Sequence, residues 1–314
     1  MRAIVCGANL AGGFPAFAFS DVAEPRPRRG EVLVRVKAVS LNAGDWRALR
    51  MGIRPKSGII GSDFAGVVET AGPDTKALRP GDEVVGDLSA CGCGALADFV
   101  SVPERALARK PENISFEEAA SCPVAGVAAL QALRDKARVR CGESALIVGA
   151  SGGVGTFAVQ LAKRFGAQVT AVCGSGSVDL ARSLGADRVI DRRKTDFAEW
   201  GGPYDLALAI HGDDGLWQYR KLLCRDGRLV LVGGSAPRLL AYLLSGPFLS
   251  LGRRKTRTLL SIPDAEDLAL VLRLVSQGQV KPVIEAVYGF AEAPEAISRS
   301  RAGHPWGKIV VRMG

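Results

Sequence analysis

The 314-residue sequence lacks an apolar run long enough to cross a bilayer. A membrane-spanning helix needs about 20 predominantly apolar residues. The candidate segment, residues 239–251, covers only 13 positions and contains Gly246 and Pro247. The sequence also shows no charged-then-apolar leader, no internal repeat and no low-complexity tract. We therefore expect a globular protein without a transmembrane segment, located in the cytoplasm.

Residues 239–251 nevertheless need a partner because they are so apolar. We interpret them as a helix at a subunit interface or as the lining of an apolar substrate channel. The alternative is a helix lying on a membrane surface, since Arg253, Arg254 and Lys255 follow directly.

A disulfide framework is also missing. The seven cysteines are odd in number and scattered, at Cys6, Cys91, Cys93, Cys122, Cys141, Cys173 and Cys224. Secreted disulfide-rich proteins instead show even, closely spaced sets. We expect reduced thiols.

Aromatic residues are few, 6% of the chain, although the net charge is +9 and the sequence pI is about 9.4. The basic residues form three short clusters, at residues 26–29, 192–194 and 253–255. No exposed aromatics are interleaved with them, as nucleic-acid recognition would favour. We therefore expect no nucleic-acid partner, and one cluster is available for a phosphate.

The first hundred residues show the two-residue period of half-buried strands. In residues 31–40, Val32, Val34 and Val36 share one side and Arg35 and Lys37 the other. Further short strands are predicted at residues 66–69, 82–85 and 98–100, separated by turns at residues 71–73 and 79–81. This segment predicts a β-rich domain.

From Ser115 the pattern alternates between strand and helix. Residues 115–118 form a capping box before an apolar helix at 119–133. Strands are predicted at residues 145–148, 168–172, 188–190, 205–209 and 228–232, with helices at 153–165, 178–184 and 216–223. Strand character returns at residues 281–288 and 307–312. The fold class is therefore α/β, with a doubly wound parallel sheet.

A glycine-rich segment lies between the first of these strands and the following helix, where a dinucleotide site requires it. Its residues are Ala150, Ser151, Gly152, Gly153, Val154 and Gly155. Gly152 allows a pyrophosphate to approach the backbone, Gly155 allows close helix–strand packing, and the helix N-terminus attracts anions. The alternative is a tight turn that binds no ligand.

The second strand of the alternation ends at Gly174 and Ser175, without the acidic residue that binds the ribose of NAD. Small polar residues there, with Arg192 and Arg193 after the third strand, fit a ribose carrying a 2′-phosphate. Arg182 is a weaker candidate because a helical arginine is usually solvated. The predicted cofactor is NADPH.

Taken together, these segments resemble the medium-chain dehydrogenase/reductase superfamily, in particular its zinc-less quinone oxidoreductase-like branch. The resemblance rests on residues 41–46, 61–69, 79–84, 149–155, 183–187, 231–234 and 307–310. It implies a GroES-like β-rich catalytic domain at residues 1–116, completed by 257–314. It also implies a Rossmann NADP-binding domain at 117–256, an active-site cleft at the domain junction and a homodimer.

The zinc ligands of this superfamily's alcohol dehydrogenases are missing. Asn42 stands where the first cysteine would be, and Ser62 and Asp63 replace a histidine and a glutamate. The two histidines, His211 and His304, lie far along the chain. Cys91 and Cys93 form a lone pair, which we interpret as reduced thiols. We predict no metal.

The resemblance places Asn42 near the nicotinamide and the substrate carbonyl, where its amide can donate to a developing oxyanion. Asp45 either takes part in catalysis or caps the helix that begins beside it. His211 lies at the carboxyl edge of the sheet, in contact with cofactor or in solvent. Val232, Gly233 and Gly234 complete the predicted cofactor site.

The chain departs from the family pattern at three positions. Ala128 stands where relatives commonly carry a threonine beside the nicotinamide, Cys93 where an aromatic is common and Arg192 where a tyrosine is common.

The sequence therefore predicts an NADPH-dependent, zinc-independent oxidoreductase that transfers a hydride to a quinone or an α,β-unsaturated carbonyl. A secondary alcohol dehydrogenase is the alternative enzyme. A non-catalytic NADPH-binding protein, with or without RNA binding, is the alternative from another class.

Overall fold

In the computed structural model, the described residues are 1–11, 14–210, 215–233, 250, 252–303 and 305–314. They form two compact units. The first unit comprises Met1–Val127, Pro263–Gly278 and Pro282–Gly314, and the second comprises Ala128–Ile262 and Gln279–Lys281. The units change near residues 127 and 262, whereas the sequence placed the domain limits near 116 and 256. Those domain limits stay a prediction.

The strands are β1 Arg2–Ala11, β2 Phe14–Asp21, β3 Glu31–Leu41, β4 Asp63–Ala71, β5 Glu83–Asp87, β6 Phe99–Pro103, β7 Leu107–Arg109, β8 Ser144–Val148, β9 Gln168–Cys173, β10 Arg188–Asp191, β11 Tyr204–Ala209, β12 Leu223–Leu231, β13 Lys255–Thr258, β14 Ile284–Gly289 and β15 Lys308–Arg312. The α-helices are α1 Ala43–Arg50, α2 Phe116–Ala120, α3 Pro123–Gln131, α4 Gly153–Arg164, α5 Val178–Ser183, α6 Leu216–Lys221, α7 Ala265–Ser276 and α8 Ala293–Arg301.

The first unit is built on a seven-stranded sheet in the order β14-β15-β3-β4-β5-β7, with β6 also paired to β3. The alternation read in β3 holds, because Val32, Val34 and Val36 are buried while Arg35 is exposed and pairs with Glu69 of β4 at 2.8 Å. Strands β1 and β2 form a separate antiparallel pair. The C-terminal strand β15 lies antiparallel beside β3, so residues far apart in sequence complete one sheet.

The second unit is built on a six-stranded sheet in the order β10-β9-β8-β11-β12-β13, and every pair in it is parallel. When the strands are numbered by their order along this unit, the sheet order is 3-2-1-4-5-6, which is the doubly wound order. Successive strands are added toward one edge as far as β10, and the next strand, β11, is added on the other side of β8. The loop after β8 therefore starts at the topological switch point, where such sheets bind ligands.

Several sequence-based boundaries were wrong. The helix expected at 119–133 is split between α2 and α3, because Pro123 has no N–H and begins a new helix. Residues 222–223 were assigned to a helix, but Leu223 pairs with Tyr204 and starts β12. Helices α7 and α8 were not predicted. No helix within the ranges given above combines the length and apolar character needed to cross a membrane.

Candidate functional site

A buried polar cluster lies in the first unit, where the end of β3 meets the starts of β4 and β15. Asn42 follows β3 and precedes α1, Asp63 starts β4 and Lys308 starts β15. The register pairs Ser40 of β3 with Asp63, and Ile309 of β15 with Leu41. Sheet geometry therefore brings residues 42, 63 and 308 together.

The cluster is connected by hydrogen bonds. The ammonium of Lys308 donates to Oδ1 of Asn42 at 2.5 Å and to Oδ2 of Asp63 at 3.3 Å. The Nδ2 group of Asn42 donates to Oγ of Ser62 at 3.3 Å, and that hydroxyl donates to Oδ1 of Asp45 at 3.2 Å. The side chains of Lys308 and Asp63 are only 3% and 0% exposed.

Asp45 has a structural role that the sequence left open. Its Oδ2 accepts the backbone N–H of Asn42 at 2.7 Å, three residues earlier, as a helix cap does. Its other oxygen accepts the hydroxyl of Ser62. Direct participation of Asp45 in catalysis stays a prediction.

The cluster holds more carboxylates than ammonium groups. Burial raises the pKa of Asp45 to about 6 and that of Asp63 to about 7, with Lys308 opposing the rise in both. Asp87 of β5 lies opposite Asp63 in the sheet, and burial raises its pKa as well. Three carboxyl groups around one lysine cannot all be charged without strong repulsion.

This donor set does not fit a catalytic zinc. Zinc sites of this kind use thiolate, imidazole and carboxylate ligands, whereas Asn42 and Ser62 hydrogen-bond each other and Lys308 points its positive charge at the same place. Within the part of the chain that the structure describes, no three His, Cys, Asp or Glu residues are grouped to hold a metal. His304 lies outside the described residues.

A cavity of about 340 Å³ lies in the first unit. Apolar residues form most of its lining, Asp87, Arg105 and Asp264 are its charged residues, and Asp87 is also the strand partner of Asp63 in the cluster. Its lining residues are Asp87, Ala90, Cys91, Pro103, Arg105, Ala106, Pro123, Val127, Pro263, Asp264, Ala265 and Leu268.

The thiols of Cys91, which lines this cavity, and of Cys93 are free, as are all seven cysteines. Burial raises the pKa of Cys93 to about 11, and the pKa of Cys91 is raised for the same reason. Neither thiol is therefore activated as a nucleophile, since the thiolate is the reactive form. Cys93 adopts a positive φ of 62° in its turn.

The glycine-rich loop of the second unit brings α4 close to the end of β8. Gly155 starts the buried part of α4, and a Cβ there would lie 2.1 Å from the carbonyl oxygen of Gly149. A Cβ at Gly152 would approach Gly149 no closer than 3.8 Å. Ala150 is fully buried, whereas Ser151, Gly152, Gly153 and Val154 are half-buried.

The first amides of α4 have no partner within the helix by its geometry. They begin next to Gly152, which has no side chain to cap them. The start of α4 therefore offers backbone N–H groups to an anion, and binding of a pyrophosphate there stays a prediction.

The sheet edge that was predicted to face the adenosine contains a carboxylate that the sequence analysis did not identify. Asp191 ends β10 opposite Cys173 of β9, and a hydrogen bond from the Ser175 hydroxyl is the main cause that lowers its pKa. Arg192 follows directly with an exposed side chain, and its backbone N–H donates to the carbonyl of Cys173 at 3.0 Å. Arg182 pairs with Asp179 at 3.0 Å.

Gly174 keeps open space around its Cα, since a Cβ there would meet no atom within 4 Å. At the neighbouring strand ends, the N–H of Val232 donates to the carbonyl of Ala209 at 3.0 Å. A Cβ at Gly233 would lie 2.5 Å from the carbonyl oxygen of Ile210. The predicted cofactor residues His211 and Gly234 lie outside the described residues, as does most of the segment 239–251.

Known proteins resemble both units. Residues 28–112 match the family described as alcohol dehydrogenase GroES-like domain, and residues 184–311 match zinc-binding dehydrogenase. The chloroplast envelope quinone oxidoreductase homolog of Arabidopsis thaliana is 34% identical, with 96% of each chain covered. The chain belongs to the medium-chain dehydrogenase/reductase superfamily.

Two further proteins of the superfamily are similar to this chain in structure or in sequence. The quinone oxidoreductase structure from Coxiella burnetii has a TM-score of 0.87 at 29% identity and covers 99% of both chains. The 2-methylene-furan-3-one reductase of Solanum lycopersicum is 34% identical over 93% of this chain and 74% of its own length. These findings confirm the predicted GroES-like and Rossmann folds and an NAD(P)H-dependent oxidoreductase with a small-molecule substrate.

Sequence reasoning missed two residues of these sites. Lys308 was considered only within the segment 307–310. The residues that follow it are apolar on both faces of the strand, and this pattern could have indicated that the lysine is buried. Asp191 was overlooked because the search for an acidic residue stopped at the end of β9, whereas the next strand ends beside it.

Proposed function

We propose that this protein is an NADPH-dependent, zinc-independent reductase that transfers a hydride to a quinone or an α,β-unsaturated carbonyl. The observation that carries the proposal is the contact of Asn42 with Ser62 and Lys308 where a zinc site would need thiolate and imidazole. A secondary alcohol dehydrogenase is not favoured, because Asn42, Ser62 and Lys308 do not offer the ligands of a metal that would polarise an alcohol.

Asn42 is the proposed catalytic residue. Hydride transfer to a conjugated carbonyl leaves negative charge on its oxygen, and a fixed amide donor stabilises that charge. One N–H of Asn42 is engaged by Ser62, while the other has only a 3.5 Å contact with the carbonyl of Ser40. The amide therefore retains a donor for the acceptor oxygen.

The second unit supplies the proposed cofactor site. When bound, the reduced nicotinamide supplies the hydride. Gly152, Gly153 and the α4 amides would hold the pyrophosphate, and Ser175 and Arg192 would hold the 2′-phosphate. Asp191 opposes that phosphate electrostatically, but Arg192, Arg193 and Lys194 follow it directly and give the segment a positive balance.

The test is NADPH oxidation with a quinone and with an enal, measured for the wild type, Asn42→Ala and the control Asn113→Ala. Asn113 is suitable because its amide is exposed and bonds only Ser276. Loss of one oxyanion donor costs about 10²-fold to 10³-fold in kcat, so N42A should lose at least tenfold and N113A nothing.

Absence of turnover with both acceptors, together with tight NADPH binding, would instead support a non-catalytic dinucleotide-binding protein. We also propose a cytoplasmic location and a homodimer. The free cysteines support a reducing compartment such as the cytoplasm, and the apolar segment 239–251 supports a homodimer.

A further inference from the structure

The contact between Lys308 and Asn42 decides which way the Asn42 amide faces. An asparagine amide has an acceptor end and a donor end of nearly equal shape, so rotation by half a turn exchanges them. An ammonium group can only donate. The side chain of Lys308, 3% exposed and fixed in β15, therefore requires the oxygen of Asn42 to face it.

The remaining bonds of the cluster continue in the same direction. Lys308 donates to Asn42, Asn42 donates to Ser62 and Ser62 donates to Asp45. Each hydroxyl or amide thus accepts on one side and donates on the other, and such chains strengthen each bond in turn. Turning the Asn42 amide would place an N–H against the ammonium and an oxygen against the acceptor lone pairs of Ser62.

Lys308 is itself held in place. Asp63 accepts from the ammonium through Oδ2, and its other oxygen accepts the backbone N–H of Val124 in α3 at 3.1 Å. The carboxylate cannot follow the lysine if it moves, because it is anchored to a helix. The ammonium therefore has a defined position from which to orient the amide.

We propose that Lys308 is a positioning residue, whose ammonium holds Oδ1 of Asn42 and so keeps the remaining N–H of Nδ2 available to the acceptor oxygen. This inference rests on the proposed function, in which Asn42 donates to that oxygen. Without Lys308 the amide can turn its oxygen to the developing negative charge, which repels it. The effect should be on the transition state and not on NADPH binding.

The experiment compares Lys308→Met with Lys110→Met. Lys110 is a matched control, because it is also a buried lysine of the first unit, 4% exposed, but it pairs with Glu83 and does not contact the cluster. We expect K308M to lower kcat at least about tenfold with the KM for NADPH within about twofold of wild type. K110M should keep kcat. Lys308→Arg, which retains a donating cation, should recover part of the loss.

A double variant separates orientation from general damage. If Lys308 acts through Asn42, the variant N42A/K308M should have the same kcat as N42A, whereas independent effects would multiply. Should K308M fold poorly, Asp63→Asn combined with Lys308→Met removes the charge together with its counter-ion and serves in its place. A loss of kcat that is equally large in the N42A background would overturn the inference.

Amide signals provide a readout that needs no turnover. The chain has three asparagines, Asn9, Asn42 and Asn113, so a sample labelled with ¹⁵N-asparagine gives three side-chain NH₂ pairs. K308M should shift the Asn42 pair strongly and K110M should not. An unshifted pair in K308M would refute the positioning role. A shifted pair with kcat unchanged in N42A would show instead that the proposed function of Asn42 is wrong, and would overturn the catalytic part of this inference with it.

Discussion

Replacing Gly155 with alanine should disrupt the dinucleotide loop, and the structure gives the size of the effect. The added Cβ would lie 2.1 Å from the carbonyl oxygen of Gly149 and 2.7 Å and 2.8 Å from backbone atoms of Ala150. Ordinary contact begins at 3.4 Å, so α4 would have to move away from the end of β8 by about 1.3 Å. All the atoms involved are backbone, and no side-chain rotation can relieve the overlap.

Overpacking of this kind costs about 1–3 kcal/mol. We therefore expect the free energy of unfolding of G155A to be lower than that of the wild type by that amount. We also expect NADPH to bind at least tenfold more weakly, because the proposed pyrophosphate site lies on the displaced backbone. Denaturant unfolding and a fluorescence titration with NADPH measure the two effects.

Two alanine variants of the same loop region provide the controls. The added Cβ has its nearest neighbour at 3.8 Å in Gly152→Ala and no neighbour within 4 Å in Gly174→Ala. Both should therefore keep the stability of the wild type. If G155A were as stable as these controls and bound NADPH as tightly as wild type, the assignment of Gly155 to close helix–strand packing would be refuted.

Four further outcomes are expected. Arg192→Ala should lower kcat/KM for NADPH by about threefold to tenfold while sparing NADH, whereas the control Arg182→Ala should change neither; equal losses for both cofactors would reject a phosphate contact. Elemental analysis should find no stoichiometric zinc, and chelation should leave activity unchanged. Light scattering should show a dimer, and a stable monomer at micromolar concentration would point to a channel-lining role for residues 239–251. Burial raises the pKa of Asp45 to about 6 and that of Asp63 to about 7, above the unfolded value of about 3.9. The stability that these two groups contribute is therefore present below about pH 4 and is lost as the pH rises through 6 to 7. Denaturant unfolding should give a lower free energy of unfolding at pH 8 than at pH 5, and a higher value at pH 8 would contradict this reasoning.

The parallel sheet was predictable because its signals are local. Apolar strands at residues 145–148 and 205–209 and the glycine loop between strand and helix can each be recognised without knowing the rest of the fold. The right-handed crossover rule then orders them. Helices α7 and α8 were not predicted, although both carry local start signals: Asp264 caps the first turn of α7, and Pro294 lies in the first turn of α8.

The candidate site was less predictable because its contacts are long-range. Asn42 could be named from its segment, but its partner Lys308 is 266 positions away and reaches it only through the pairing of β15 with β3. Asp191 likewise meets Ser175 only because β9 and β10 are neighbours. Sequence spacing indicates which residues can carry chemistry, whereas strand pairing determines which of them meet.

The pairing of β15 with β3 also sets an order of events during synthesis. A ribosome delivers the chain from its N-terminus, so β3 and β4 emerge early while the strand that covers the free edge of β3 emerges only after the whole second unit. During that interval the edge of β3 beside Ser40 and Leu41 has unpaired backbone groups, which is the situation that invites pairing with other chains. Apart from Gln279–Lys281, the second unit is continuous in sequence and emerges as a whole before β15, so it can fold as a unit in the meantime. The first unit and its buried lysine are therefore completed last, and β3 is the segment that a chaperone would need to shield.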